Sequence, residues 1–392
     1  MLYQTAVPDT ANTLRNSQLG MIISSTVKCL NNKGEVRMEK LRVIQVATGT
    51  VGTHSLRTIL GRRDMELVGL LAFSPQKVGV DAGTIAGTAP VGVTATDDFE
   101  AILGLDADVV AYNALGETRD PEAALDQICQ LLESGKNVCS TAVSVHIYPQ
   151  IIKSSPLRER LEKACATGGV SFHSSGINPG YMMDVWPISL CRLTRTIDTI
   201  YMTEMVDMSR YTSRQIGDYI GFGKPVEEPL VRFPREVVTE SSFYASLQMF
   251  ADATGLEFDD VTLDWEVAPT PREIVTPVYN VEPGQVGAVR ITLRAYKNGK
   301  IRVENQWVWV LGEDVAPAEW PYGDGAWSVR VVGDPCLETR IETSTEFDAK
   351  QPDVLMTGVQ TVNAMPSVVA APPGVHTHLD LPLFSGGFFA EA

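Results

Sequence analysis

Residues 41 to 54 read LRVIQVATGTVGTH. An apolar run, Val43 to Val46, stops at a small-residue turn, Ala47-Thr48-Gly49-Thr50-Val51-Gly52, and a helical pattern follows. Strand, glycine turn and helix in that order form the phosphate-binding unit of a dinucleotide fold. Ala47 stands where the first glycine of G-x-G-x-x-G is expected, and a methyl group is tolerable in that tight turn. Gly49 is then the closest approach of backbone to pyrophosphate, and Gly52 permits close helix–strand packing. Thr48, Gly49, Thr50, Val51 and Gly52 together make the expected phosphate-binding turn, whose amides and helix dipole favour an anion.

Outward from this turn, short apolar runs alternate with helical stretches. Strands are expected at 42–47, 66–73, 108–113, 137–142 and 170–174, with helices at about 51–62, 97–104, 121–135 and 157–167. That spacing predicts βαβ units and a doubly wound parallel sheet, an α/β Rossmann domain. After Pro187 the pattern changes. Segments 196–208, 261–268, 288–296, 301–311, 326–333 and 337–345 alternate polar and apolar residues, and Asn298-Gly299 is a hairpin signal between two of them. This half reads as an α+β domain with a mainly antiparallel sheet. Helical pieces fit 211–221 and 240–254, long loops fit 269–287 and 312–325, and a last helix fits about 352–370. The expected units are an extension over 1–40, a dinucleotide domain over 41–184, a substrate and dimerisation domain over 185–345, and a C-terminal helix and tail over 346–392. Gly34-Glu35-Val36 can be encoded by a purine-rich stretch resembling a ribosome-binding site. Met38 is therefore the expected native start, with 1–37 an unstructured or misassigned extension.

Composition narrows the function. The chain has 392 residues, 44% hydrophobic and 20% charged, with a net charge of −16. Such a charge disfavours nucleic acid and anionic membranes. Nothing approaches the roughly 18 apolar residues of a membrane span. Six scattered cysteines without a C-x-x-C suggest reduced thiols and a cytoplasmic setting rather than disulfides or zinc. His376 and His378 form an H-x-H pair without an evident third ligand, so no metal is expected.

The end of the second strand separates the two nicotinamide cofactors. An NAD site places a carboxylate there for the ribose 2′-hydroxyl. This chain reads Leu71-Ala72-Phe73-Ser74-Pro75-Gln76-Lys77, where Ser74 can donate to a 2′-phosphate and Lys77 can neutralise it. NADP(H) is expected over NAD(H). Asn113 and Ala114, after the strand at 108–113, are expected near the nicotinamide ribose.

Three stretches carry a family resemblance: Ala47 to Gly52, Phe73 to Gly83, and Gly176-Ile177-Asn178-Pro179-Gly180-Tyr181-Met182-Met183-Asp184. Gly221-Phe222-Gly223 and Val362-Asn363-Ala364-Met365-Pro366 through Asp380-Leu381-Pro382 extend it to roughly 41–384. The sequence resembles amine dehydrogenases related to 2,4-diaminopentanoate dehydrogenase, with an N-terminal domain like that of dihydrodipicolinate reductase. The resemblance implies a Rossmann domain, a second domain whose sheet often supports a homodimer, and a C-terminal helix packed back on the first. It also implies NAD(P)H-linked interconversion of an amine with a carbonyl compound and ammonia. It further implies a carboxylate just before the Tyr148-Pro149 element, where this chain has Val143-Ser144-Val145-His146.

The proton donor must then come from elsewhere. His146 can act as a general acid. Tyr181 and Asn178 lie at a helix start beside the expected cleft. Glu204, on the first strand of the second domain among apolar neighbours, can replace the missing acid from the opposite wall; Asp207 and Glu117 are further carboxylates within reach of this argument. Met182, Met183, Trp186, Phe222 and Met365 are expected to line an apolar cleft. These features predict an NADP(H)-dependent oxidoreductase acting on the C=O or C=N bond of a small, largely apolar substrate. The alternatives are an ammonia-using amine dehydrogenase and a non-catalytic dinucleotide-binding sensor.

Overall fold

The computed structural model describes residues 28–30, 36–38, 40–116, 120–152, 156–227, 230–233, 238–239, 241–345 and 351–386. Glu117 lies outside them. A short antiparallel ladder pairs β1 (Lys28–Leu30) with β2 (Val36–Met38), so the expected extension contributes one element.

The first domain is built on six parallel strands. They are β3 (Leu41–Val46), β4 (Met65–Leu71), β5 (Val109–Tyr112), β6 (Asn137–Ser140), β7 (Ser171–Ser174) and β17 (Gly374–His376), in the spatial order β17-β7-β6-β5-β3-β4. All four residues of β5 and all four of β7 are buried, as strands covered on both faces must be. Helices α1 (Thr50–Gly61), α2 (Ala82–Ala86), α3 (Phe99–Leu103), α4 (Pro121–Glu133) and α5 (Leu157–Gly168) make the crossovers. Caps in the sequence set their starts. Asp81, Asp98 and Asp120 each accept a backbone N–H of the first turn of α2, α3 and α4, and Pro121 opens α4.

The second domain follows α6 (Val185–Cys191) and is a seven-stranded sheet. Its strands are β8 (Thr196–Asp207), β9 (Leu230–Arg232), β10 (Asp260–Pro269), β13 (Val286–Lys297), β14 (Lys300–Val310), β15 (Ala326–Asp334) and β16 (Leu337–Glu342). The order is β16-β15-β8-β14-β13-β10-β9, antiparallel except where β8 runs parallel to β14. The Asn-Gly signal forms the expected hairpin: Asn298 and Gly299 have φ of 53° and 73°, the pair of positive φ values that a two-residue turn requires. The loop expected over 269–287 contains a further ladder, β11 (Ile274–Val275) with β12 (Asn280–Val281). Helices α7 (Arg214–Ile220) and α8 (Ser242–Thr254) complete this domain.

The C-terminal helix α9 (Pro352–Ala370) returns to the first domain. Its Val362, Met365 and Val368 share a core with Leu56 and Ile59 of α1. The chain then adds β17 beside β7. Ile147, Tyr148 and Ile151 pack on Ala245 and Met249 of α8, joining the two domains behind the cleft. No helix of the described residues is long and apolar enough to cross a membrane.

Candidate active site

Beyond the carboxyl ends of β3, β5, β6 and β7 lies a cleft of about 770 Å³, closed on its far side by the second sheet and the start of α9. One wall is the glycine turn. Ala47 adopts a left-handed conformation (φ 72°), the geometry for which a glycine is expected. Buried Gln45 holds it: its Nε2 donates to the Ala47 carbonyl (2.9 Å) and to Asn113 Oδ1 (3.0 Å). A Cβ at Gly52 would sit 2.3 Å from that same carbonyl, so only glycine fits beneath the turn. At Gly49 the reverse holds, since a Cβ there would meet nothing within 4 Å. Unlike α2 to α4, helix α1 has no side-chain cap, and its first turn carries no acidic residue. Bare amides, a helix dipole and open space beside Gly49 fit the pyrophosphate of a dinucleotide.

Thr48, Gly49, Thr50, Val51, Ser74, Lys77 and Asn113 all line this cleft, as do Asn178 and Glu204. Lys77 Nζ donates to the Thr48 carbonyl (2.5 Å), and partial burial lowers its pKa. Ser74 Oγ donates to Gln76 Oε1 (2.7 Å). Asn113 Nδ2 donates to Thr141 Oγ1 (2.9 Å), fixing its amide beside the turn. Thr50 and Thr212 hydroxyls meet at 3.1 Å, bridging the two domains at the phosphate end.

The opposite wall is the face of β8 that carries Glu204 and Val206, continued by Met208 in the turn just after it. Glu204 is buried, with 5% of its surface exposed. Three N–H groups donate to its carboxyl: Asn178 Nδ2 to Oε2 (2.8 Å), Trp327 Nε1 to Oε2 (2.7 Å) and Trp309 Nε1 to Oε1 (2.8 Å). The register accounts for the two indoles, because β8 is sandwiched by β14 and β15. Trp327 lies opposite Glu204, and Trp309 lies two residues beyond Trp307, the residue of β14 opposite Glu204; Asn178 comes from the loop after β7. Burial pushes the carboxyl up while the three donors pull it back. Since a carboxylate has about four acceptor directions, one on Oε1 remains. Tyr211, Phe243, Trp307 and Trp309 supply aromatic surface around it, and Asp353 of α9 lines the same space.

The loop that carries Asn178 is itself held tightly. Gly180 has φ 127°, and a Cβ there would lie 2.4 Å from Gly176 N. Fully buried Asp184 accepts from Gly180 N (2.9 Å), Val185 N (2.6 Å) and Ser246 Oγ (2.8 Å). The motif from Gly176 to Asp184 is thus a rigid bracket that aims Asn178 at Glu204.

Other expected residues are elsewhere. His146 is buried edge-on to Phe172, 5.9 Å between ring centroids, because the turn over Ser144–Ile147 gives Ser144 and Ile147 to the cleft instead. Burial pushes its pKa down to about 4, so near pH 7 the ring is neutral and carries no imidazolium proton for general-acid catalysis. Tyr181 is 36% exposed and does not line the cleft. Ala114 turns away between Asn113 and Leu115, which do. Asp207 caps the turn after β8 by accepting from Ser209 N (2.9 Å). Met182, Met183, Phe222 and Met365 are core residues, and Trp186 packs against that core; the aromatics named above line the cleft in their place. His376 Nε2 is 2.7 Å from the Pro372 carbonyl, and His378 packs on His173 at 4.6 Å, a structural cluster. Among the described residues no group of three or more His, Cys, Asp or Glu is arranged to hold a metal.

Sequence reasoning missed Trp309, Trp327, Tyr211 and Asp353. The first two alternate on strands like any half-buried aromatic, and Asp353 reads as an ordinary acidic residue at a helix start. None carries a local signal for the cleft.

A dinucleotide turn facing a buried carboxylate across a closed cleft defines a nicotinamide-dependent oxidoreductase. Comparison with known proteins agrees. Residues 181–388 match the 2,4-diaminopentanoate dehydrogenase C-terminal domain family. The chain is 31% identical over 345 residues to an amine dehydrogenase of Streptomyces virginiae, covering 86% of this chain and 94% of that one. It is 24% identical to the 2,4-diaminopentanoate dehydrogenase of Acetoanaerobium sticklandii, covering 88% and 94%. In structure it is similar to the amine dehydrogenase of Mycobacterium smegmatis, with a TM-score of 0.70 and 22% identity over 88% of this chain and 97% of that one. The chain belongs to the amine dehydrogenase and 2,4-diaminopentanoate dehydrogenase family of NAD(P)-dependent oxidoreductases.

Proposed function

We propose that the protein is an NADP(H)-dependent amine dehydrogenase that interconverts a largely apolar ketone or aldehyde plus ammonia with the corresponding primary amine. The observation that carries this reading is Glu204. Its carboxyl accepts three fixed N–H donors and keeps one acceptor direction in a cleft walled by aromatic rings. A fourth N–H donor bearing positive charge, an ammonium or iminium, satisfies it. Trp309 and Trp307 add cation–π attraction. A neutral carbonyl oxygen needs a donor there and meets an acceptor. The relative from Streptomyces virginiae supports the same reading.

The glycine turn and Asn113 would hold a reduced nicotinamide cofactor, which would supply the hydride. The chain's own residues hold the iminium nitrogen on Glu204, orient its carbon toward the first wall, and exclude water between the two domains. NADP(H) is favoured by Ser74 and Lys77 at the cofactor end of the cleft, with no carboxylate from Leu71 through Lys77. Lys77, partly desolvated against a carbonyl, gains a counter-charge from a 2′-phosphate. A cytoplasmic homodimer belongs to the same reading, and sedimentation equilibrium checks the dimer.

The deciding test is cofactor oxidation against a panel of apolar ketones and aldehydes, each with and without high ammonium. Turnover that requires ammonium is expected. Equal turnover without it makes the protein a carbonyl reductase on the same frame. Cofactor binding with no turnover on any substrate makes it a sensor.

A further inference from the structure

The C-terminal helix brings a second carboxyl to the cleft. Asp353 lies in the first turn of α9, and it lines the cleft together with Val354 and Thr357. Both walls pin that helix start. Gly358 comes so close to α1 that a Cβ would lie 2.9 Å from both the Val51 carbonyl and Ser55 N. Gln351 Nε2 donates to the Arg210 carbonyl of the second domain.

Glu204 and Asp353 face one space but are held differently. Glu204 is locked by three side-chain donors. Asp353 receives only backbone N–H groups of its own turn, from Asp353 and Val354, among the described residues. The charged and titratable groups facing it are Arg210 and Asp324, which pair with each other at 2.6 Å, Glu204, and the buried Tyr211 hydroxyl. A fixed carboxylate beside a loosely held one is the arrangement that divides electrostatic and proton-transfer roles between two acids.

Resting on the amine reading above, we propose that Asp353 is the proton shuttle of carbon–nitrogen bond formation in this cleft. As a carboxylate it takes one proton from ammonium, freeing the nitrogen lone pair to bond the carbonyl carbon. The carbonyl π pair moves to oxygen, and a second nitrogen proton passes to that oxygen, giving the carbinolamine. Asp353 returns its proton to the hydroxyl, the C–O bond breaks, and water leaves. The iminium remains on Glu204, and Asp353 is a carboxylate again. The sum is carbonyl plus ammonium giving iminium plus water, with no other reactant. Burial pushes the Asp353 carboxyl up to about 6, close to working pH, as a group that gains and loses a proton each turnover requires.

The test compares two substrates in wild type and Asp353→Asn: a ketone with ammonium, and a preformed cyclic imine such as 2-methyl-1-pyrroline, which needs no carbinolamine. With the ketone and ammonium, kcat should fall about 100-fold or more, and at least about tenfold more than with the imine. The acid limb of the kcat/KM profile near pH 6 should be lost, and Asp353→Glu should recover part of the rate. In the cofactor-free enzyme, 13C NMR of the carboxyls, differenced against Asp353→Asn, should show one titrating near pH 6. Equal losses on both substrates, or a carboxyl titrating in the ordinary aspartate range, overturn the shuttle and leave the amine reading standing. A wild-type enzyme that reduces the imine but ignores ammonium overturns both.

Discussion

The two walls of the cleft are built on opposite plans. The first is backbone: bare amides at the start of α1, an open Gly49, and Ala47 held in a left-handed turn by Gln45. The second is side chain: a carboxylate fixed by an amide and two indoles drawn from three separate segments. A backbone site is concentrated in six consecutive residues and depends on chain conformation more than on side-chain identity. A side-chain site is dispersed over residues 178 to 353 and can be rewritten one residue at a time.

Breaking the second wall should have the largest effect. Glu204→Gln is expected to lower kcat about 100- to 1,000-fold, as for removal of a preorganised charge, with little change in NADPH affinity. Fluorescence titration beside steady-state kinetics checks this, and unchanged turnover would leave Glu204 a structural residue.

Acid should separate the walls next. His146 and His173 are buried with pKa values pushed down to about 4, and burial holds His378 well below its ordinary value. His173 lies in β7, His146 in the turn after β6 against Phe172 of β7, and His378 in the tail against His173, so all three belong to the first domain. Unfolded, each binds a proton near pH 6.5. From these three histidines the unfolded chain holds more protons between about 6.5 and 4, so their contribution is complete above that window and falls as pH drops through it. The buried carboxyls of Asp353, Glu204 and Asp184, raised by burial, take up protons in the folded chain and offset part of that fall. Melting curves should be flat above pH 7 and fall from 6.5, before ordinary carboxylates titrate. A decline that begins only below pH 4 would remove the histidines from the account.

Smaller effects are expected at the first wall. Lys77→Ala should weaken NADPH about 10- to 100-fold, the worth of a charge-assisted contact, and NADH far less; equal weakening would dissolve the case for a 2′-phosphate. Ala47→Gly should raise stability by up to about 1 kcal/mol, because a left-handed alanine costs about 1–2 kcal/mol and glycine gives part of that back in unfolded-chain entropy. Thermal unfolding checks the sign.

The same contrast explains what could be read in the sequence. Local signals placed β3, α1, β5, the Asn298-Gly299 hairpin and α9 within a few residues, because turns, caps and periodicity act over short distances. Gly49, Lys77, Asn178 and Glu204 were legible as cleft residues because each sits at the end of an element or is a lone charge among apolar neighbours. The parallel pairing of β8 with β14 and the strand β17 were not, since both depend on partners more than 100 residues away. His146 misled because its side-chain type suggests chemistry, while its direction is set by a short turn that periodicity does not resolve. The return of α9 to the first domain was expected from the family resemblance, but Asp353 was hidden because no local signal aims the start of that helix at the cleft.

That return has a consequence for synthesis. The sixth strand of the first sheet, β17, and the helix that covers α1 are the last of the named elements to be made. While the ribosome works through residues 185–345, the nucleotide half stands with one sheet edge unpaired and the apolar face of α1 bare. The inserted sheet is contiguous in sequence and has every strand it needs before α9 emerges. The nucleotide half therefore receives its last strand and its covering helix only after the second sheet is complete in sequence, and a chain cut short after residue 345 lacks both.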